Sequence, residues 1–374
     1  MWLWTAPAAR AAIATRNLAV ILRTYRAATG QSQRALAEAL GYDPTYVSMI
    51  ETGRRDITDV GTLRRFARHL GLPPHSLGVT DAEAADFAAM LQFGESTIRL
   101  AGLARESGHA ASAVNELWPL IARLEARTAD GDADRDVLLL LGRARAMLGV
   151  ALGDVLPEER LNSAAQWTGR ALRIAERLDD PELLSHTLRV HGNELRKVGR
   201  KAAAALRLQH AAYLAPDGER GAALIQLARV AGDLGDRELF DSVLPDLLRF
   251  VDEAPPTLMV NPFAAREVHL RGLVSTGRAA LAAQLLQRPS IGPGIAAPTW
   301  RAIERVTAAE VFRAQRDTDG AEAALREAIT TAVTYRLPHQ IQRAIRAAKD
   351  TLPTITELGE TALADLRLSF PAKT

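Results

Sequence analysis

Leu18, Ile21, Leu22 and Tyr25 fall on one stripe of a helix, and Leu63, Phe66, Ala67 and Leu70 fall on another. Residues three and four apart share a face at 3.6 residues per turn. Between these stripes Ala37 is small where two helices approach, and Val47 and Ile50 lie three apart on one buried face. From about residue 81 onward the chain is rich in Ala, Leu and Arg, with helical period and no strand-like alternation. The pattern predicts an all-α fold, with short helices in the first eighty residues and an array of helix pairs after them. A domain boundary is expected near Gly78 to Asp81. Further breaks at Gly131-Asp-Ala-Asp, Asp252 to Pro262 and Pro289 to Pro298 are expected as loops between repeats, the last as a hinge before a C-terminal pair.

Local signals sharpen the first part. Ser32 and Asp43 are placed to cap helices, Pro44 suits a first helical position, and Gly41 and Gly71 suit helix ends. The segment Gln33 to Arg55 thus reads as two short helices joined by a tight turn, the arrangement that lays a second helix in the DNA major groove. With the spacing Ala-x3-Gly-x5-Val-x2-Ile, residues 17 to 78 resemble a lambda-repressor-like, Cro-type (XRE) DNA-binding domain of five helices, and Leu72-Pro-Pro-His-Ser-Leu77 resembles its short last helix. The resemblance implies that Gln33 anchors a phosphate and that Pro44, Thr45, Tyr46, Ser48 and Met49 face the groove. Arg54 and Arg55 would then grip backbone phosphates, and Arg26 with Glu51 would form a structural ion pair. The reading face has no Arg, Asn or Gln, the side chains that make bidentate contacts to bases. Specificity is therefore expected from thymine-methyl contacts, phosphate positioning and DNA shape.

The second part repeats. Between Leu188 and Pro216, Gly192, Leu195, Gly199, Ala204, Leu208, Ala211 and Pro216 resemble the tetratricopeptide pattern. Weaker copies lie on the same frame, most of them spaced by 36 to 42 residues, longer than that family's usual ~34. The expected fold is a tetratricopeptide-like helical solenoid over 81–374, with an irregular helical bundle as the alternative. The resemblance implies that the first helix of each pair lines a concave groove and that Arg143, Asn193, Arg229, Arg271 and Arg313 point into it. Arg189, Arg196 and Lys197 would add charge beside Asn193. Asn suits an extended peptide backbone, and Arg suits carboxylates or phosphates; the alternative is that these arginines are surface charge. A Cro-type head joined to such repeats resembles the peptide-pheromone receptors of Gram-positive bacteria.

Composition adds limits. The 374 residues are 48% hydrophobic, enough for two or three domains. Net charge is only +2, yet residues 16 to 70 hold nine Arg and no Lys against five acids, which suits a phosphate-binding module. There is no cysteine, so no disulfide framework and no thiolate chemistry. No run approaches 18 apolar residues, so no membrane span is expected. The opening Met1-Trp-Leu-Trp-Thr-Ala-Pro lacks a basic region before its apolar residues and does not resemble a signal peptide. Residues 1–16 are expected as an arm, either packed or mobile. His186, His191 and His210 fall in no metal or nucleophile motif, and no phosphate loop or catalytic triad is present. The expectation is a cytoplasmic, non-enzymatic, cofactor-free regulator of transcription. It would bind a double-stranded DNA operator as a homodimer, with the repeats supplying the interface and sensing a peptide or small anionic effector. The alternatives are a protein-interaction scaffold whose head no longer binds DNA, and a constitutive DNA binder whose repeats serve only dimerisation.

Overall fold

The computed structural model describes residues 3–79, 82–129, 134–289 and 296–368, and the regular elements among them are all helical. The sequence breaks at 80–81, 130–133 and 290–295 lie outside the described residues. Contacts divide the chain into two compact units, residues 1–97 with 119–142 and residues 98–118 with 143–374. The division passes through three helices, and the segment at 78–79 lies within the first unit.

The first unit begins with α1 (Pro7–Ala14), α2 (Leu18–Thr29), α3 (Gln33–Leu40), α4 (Pro44–Glu51) and α5 (Val60–Leu70), followed by a 3-10 turn at Pro74–Leu77. Each start from α2 to α5 is fixed by a side chain that accepts from an otherwise unpaired backbone N–H. Asn17 accepts from Ala19 and Val20, Ser32 from Ala35, Asp43 from Thr45 and Asp59 from Thr62. The α3–α4 turn closes at Gly41, whose φ of 73° is cheap only without a Cβ. Ile21, Leu22, Leu36, Ala37, Val47, Ile50, Phe66 and Ala67 meet in one core.

The N-terminal arm belongs to this core. Trp4 is 5% exposed, donates its indole N–H to the Leu70 carbonyl at 2.7 Å and stacks on Tyr25 at 6.0 Å between ring centroids. Ala9 of α1 is buried in the same cluster.

Among the described residues, the remaining helices form seven successive pairs. They are α6 (Ala82–Glu106) and α7 (Ala110–Ala129), α8 (Arg135–Val155) and α9 (Leu161–Leu178), α10 (Pro181–Lys197) and α11 (Lys201–Leu214), and α12 (Arg220–Leu234) and α13 (Arg237–Glu253). The array continues with α14 (Pro262–Ser275) and α15 (Ala279–Gln287), α16 (Pro298–Ala314) and α17 (Thr318–Thr334), and α18 (Pro338–Ala348) and α19 (Pro353–Leu368). In the second unit the first helices pack in order, α10 on α12, α12 on α14, α14 on α16 and α16 on α18, while each also packs on its own partner. A layer of first helices therefore lines one side of a helix-pair solenoid. Small residues set the approach: a Cβ on Gly192 would meet Leu208, one on Gly232 would meet the backbone of Gly272, and one on Gly272 would meet Phe240. At the α16–α17 turn Arg316 takes the left-handed conformation, and Gly320 lies in the first turn of α17 with its N–H on Asp317.

The second unit closes on itself. Between α8 and α9 a 3-10 turn at Glu158–Arg160 packs against α18. Glu158 contacts His339 Nδ1 at 3.1 Å and pairs with Arg346. Glu159 accepts from Gln342 at 3.0 Å and pairs with Arg367. The charges of these two acids clasp the last helix pair to the second.

Two outcomes follow from this packing. Trp4→Ala removes a buried indole and leaves the Leu70 carbonyl without its donor, so urea unfolding followed by circular dichroism should show a loss of about 3–5 kcal/mol; a loss under ~1 kcal/mol would mean that the arm is dispensable. The second outcome concerns acid. Burial pushes the pKa of His339 from 6.5 down to about 4. As pH falls below 6.5 the unfolded chain takes up a proton that the folded chain refuses, so stability present above 6.5 drains away down to about 4. His339→Gln should therefore show a shallower fall in urea midpoint across that window than the unaltered protein, and identical slopes would contradict a buried neutral His339.

Candidate functional site

The exposed face of α4 carries the first candidate site. Val47 and Ile50 point inward and Thr45 is exposed, while Pro44, Tyr46, Ser48 and Met49 are half-buried. Tyr46 stacks on Tyr42 at 4.7 Å between centroids, and Tyr42 in turn packs on Phe66 of the core at 5.6 Å. The Arg55 guanidinium lies over the Tyr46 ring at 4.6 Å. A ladder from Phe66 through Tyr42 and Tyr46 to Arg55 thus holds the one large side chain of this face in a fixed orientation. Tyr42 was not among the residues singled out in sequence, although its spacing of four from Tyr46 is the signal that carries the stack. Arg54 and Arg55 are exposed just after Gly53, whose φ of 72° lets their N–H groups return to the Met49 carbonyl.

Behind this face Glu51 is a buried anchor. Its carboxylate takes a fork from Arg26, at 2.7 and 2.9 Å, and a third bond from the Gln33 amide at 2.7 Å. The hydrogen bond to Glu51 raises the pKa of Arg26. Gln33, placed by its position to meet a phosphate, is here turned onto Glu51 and joins the start of α3 to the end of α4.

The second candidate site is a cavity of about 220 Å³ inside the second unit. It is walled by the first helices α8, α10, α12, α16 and α18, the end of α6 and the loop at 254–261. The structure brings Arg189, Asn193, Arg196, Lys197 and Arg229 together on its wall. Arg143, Arg271 and Arg313 are not on it. Arg143 sits on α8 about one turn before Met147, the first of the wall residues Met147, Val150 and Asp154. Arg313 is exposed at the far end of α16 and donates to the Ala347 carbonyl. Arg271 lies behind the wall on Asp233, at 3.0 Å.

Most wall charges are paired internally. Arg196 binds Asp233 at 2.9 Å, so Asp233 is forked between Arg196 and Arg271. Burial opposes ionisation of Asp233, but Arg271 and Arg196 outweigh it and hold the carboxyl below the usual carboxylate range. Lys197 lies 3.0 Å from Glu194 and 3.5 Å from Asp154, and Arg105 lies 3.3 Å from Asp154. Gly153 makes room for this group, since a Cβ there would fall 2.1 Å from the Glu194 carboxylate and 2.7 Å from Lys197 Nζ. Asn193 is committed too: its Oδ1 accepts from Arg196 at 3.1 Å, and its Nδ2 donates to Glu194 at 3.2 Å.

Arg189 and Arg229 differ from the rest. Arg189 donates to His186 Nδ1 at 3.1 Å and reaches Met259 Sδ at 3.7 Å. Arg229 donates to Gln226 Oε1 at 3.2 Å and lies over the Trp300 ring at 4.9 Å. Their direct partners are neutral, and acids reach them only through space, Glu219 and Glu106 for Arg189 and Glu267 and Asp233 for Arg229. Burial, then the charge of Arg189, pushes the His186 pKa down to about 3, so its ring carries no charge at neutral pH. His186, which falls in no metal or nucleophile motif, is a cavity wall residue that buttresses Arg189.

Among the described residues, no group of three or more His, Cys, Asp and Glu is arranged to hold a metal, and no helix is long and apolar enough to cross a membrane.

Residues 17–78 match the family model described as a helix-turn-helix domain. Comparison with curated proteins gives no match. Among solved structures, the chain is similar to the crystal structure of yeast Tom70, at 13% identity over 99% of this chain and 90% of that chain, with a TM-score of 0.33. A second similar structure is a circular tandem repeat protein with novel repeat topology and enhanced subunit contact surfaces, at 15% identity over 98% and 95% of the two chains, with a TM-score of 0.20. Both overlays are too loose to carry an argument, and the helix-pair architecture rests on the packing described above. The chain carries a helix-turn-helix domain at residues 17–78, followed by an array of helix pairs.

Proposed function

We propose that this protein is a DNA-binding regulator of transcription, of the Cro-type (XRE) class, whose helix-pair body dimerises and senses an effector. The observation that carries the DNA-binding part is the held face of α4. Its caps, the Glu51 anchor and the Tyr42–Tyr46–Arg55 stack preorganise the surface that a recognition helix presents to a groove. Stacked Tyr46 offers an aromatic edge and a hydroxyl, and Thr45 and Met49 offer methyl groups, which suits thymine contacts within a shape-reading mode. The sensing part is supported by the cavity, where two cations have only neutral direct partners. The double-stranded operator, the homodimer and the effector are the proposed partners; the role is binding rather than catalysis, in the cytoplasm.

A duplex selected by the full-length chain from a random pool supplies the assay. Arg54→Ala should weaken binding to selected and random duplexes alike and flatten the dependence of log affinity on log salt by about one unit. Arg55→Ala should do the same and also narrow the gap between selected and random DNA, because it unclamps Tyr46. If the chain enriches no duplex at ~50 mM salt, the regulator reading fails and the scaffold reading replaces it. Light scattering tests the oligomer: a dimer should bind a two-fold site with half-sites roughly 10 base pairs apart, whereas a monomer binding one-to-one would exclude that arrangement.

A further inference from the structure

The cavity joins two features. One is a guanidinium that is buried and makes no direct ion pair. Arg229 is 6% exposed, faces the cavity and has only Gln226 and the Trp300 ring as direct partners, and its Nε has no acceptor. Glu267 of α14 is fully buried, accepts from the Thr307 hydroxyl through Oε1 at 2.7 Å and, like Asp233, acts on Arg229 only through space, without a direct ion pair. Arg189 adds a second cation from α10 on neutral direct partners. A buried charge left uncompensated costs several kcal/mol and is retained only where something repays it. The other feature is an apolar wall. Met147, Val190, Leu258, Met259, Trp300 and Ile303 face the same space.

The geometry points to a small amphipathic organic anion as the occupant, its carboxylate held by Arg229 and Arg189 and its hydrocarbon body lying on the wall of Met, Leu, Ile and Trp side chains. This assignment rests on the sensor reading above and narrows it. Arg presents parallel N–H donors that match a carboxylate, and a charge-assisted pair strengthens in a water-poor site. Size limits the rest of the molecule. At about 220 Å³ the cavity lies below the usual range for drug-sized ligands. An extended peptide also loses most of its expected partner, because the Asn193 Oδ1 is taken by Arg196 and one Nδ2 hydrogen by Glu194. The acids on the wall do not repel the anion, since Asp154 and Glu106 are each paired with Arg105.

Calorimetric titration of the full-length chain tests this, with octanoate and benzoate as probes and inorganic phosphate and an end-capped tripeptide as comparisons. At least one carboxylate should bind one-to-one, more tightly than phosphate or the peptide. Arg229→Met should lower that affinity tenfold or more and, by removing an uncompensated buried charge, raise the Tm of the empty protein. A residue that merely supports the fold would lower it. Arg189→Gln should also weaken binding tenfold, and it stands in if the first variant fails to fold. Absence of heat with both carboxylates up to about 10 mM, phosphate binding as tightly as either, or unchanged affinity in both variants would overturn the assignment. The selected-duplex assay on the same samples keeps the two readings apart: intact DNA binding with no carboxylate binding rejects the anion site alone, whereas carboxylate binding in a chain that ignores DNA supports the site and rejects the regulator.

Discussion

Uneven pairing of buried charge on the inner wall of the helix pairs organises the second unit. Asp233 on α12 is gripped from both sides, by Arg196 of α10 and Arg271 of α14. One carboxylate therefore ties three successive first helices into register. Glu194, Lys197 and Asp154 do the same for α8 and α10. Removing one member would strand its partner in a desolvated wall, which costs far more than a surface pair contributes. The same accounting leaves Arg229 and Arg189 over, and that surplus separates a packed core from a receptive one.

The residues Asp154 to Arg160 show how an irregularity in a repeat can serve the whole. As extra length between α8 and α9 they interrupt the pattern, yet Asp154 joins the wall network while Glu158 and Glu159 hold the last helix pair. Burial opposes ionisation of Glu158, but His339 and Arg346 outweigh it and hold its carboxyl at about 2. Closure of the array by this clasp brings α18, with His339 and Gln340, to a cavity that also touches α8 and α10. A ligand in that cavity contacts both ends of the array at once. It is thereby placed to favour one curvature over another, the small per-repeat rotation by which solenoids change shape.

The legible parts of this fold were those with local causes. Caps at Ser32 and Asp43, the left-handed turn at Gly41 and the apolar spacing of Val47 and Ile50 involve neighbours a few residues away, so the helix-turn-helix could be drawn from sequence. Trp4 could not be placed, because its partner Leu70 is distant in sequence and no spacing announces it. In the body the frame held where the repeat is regular, at Asn193 and Arg229, and slipped where it is not. Arg143 falls short of the cavity because the wall residues of α8 lie nearer its C-terminus, and Arg313 lies beyond it because α16 faces the cavity with its first turns, at Thr299, Trp300 and Ile303. Whether an arginine has a counter-ion is a property of packing; composition alone could not separate Arg229 from Arg271.

The proposed regulator requires coupling between the cavity and the DNA-binding face. Linkage makes that coupling reciprocal, so an anion that alters DNA affinity must itself bind DNA-bound and free protein with affinities differing by the same factor. The most direct measurement is the affinity of the chain for its best carboxylate probe, taken with and without saturating selected duplex at one salt concentration. A difference of about 5-fold or more, in either direction, is the predicted result. Equal affinities in the two states would contradict the account, leaving a head and a body that share a chain without sharing a signal.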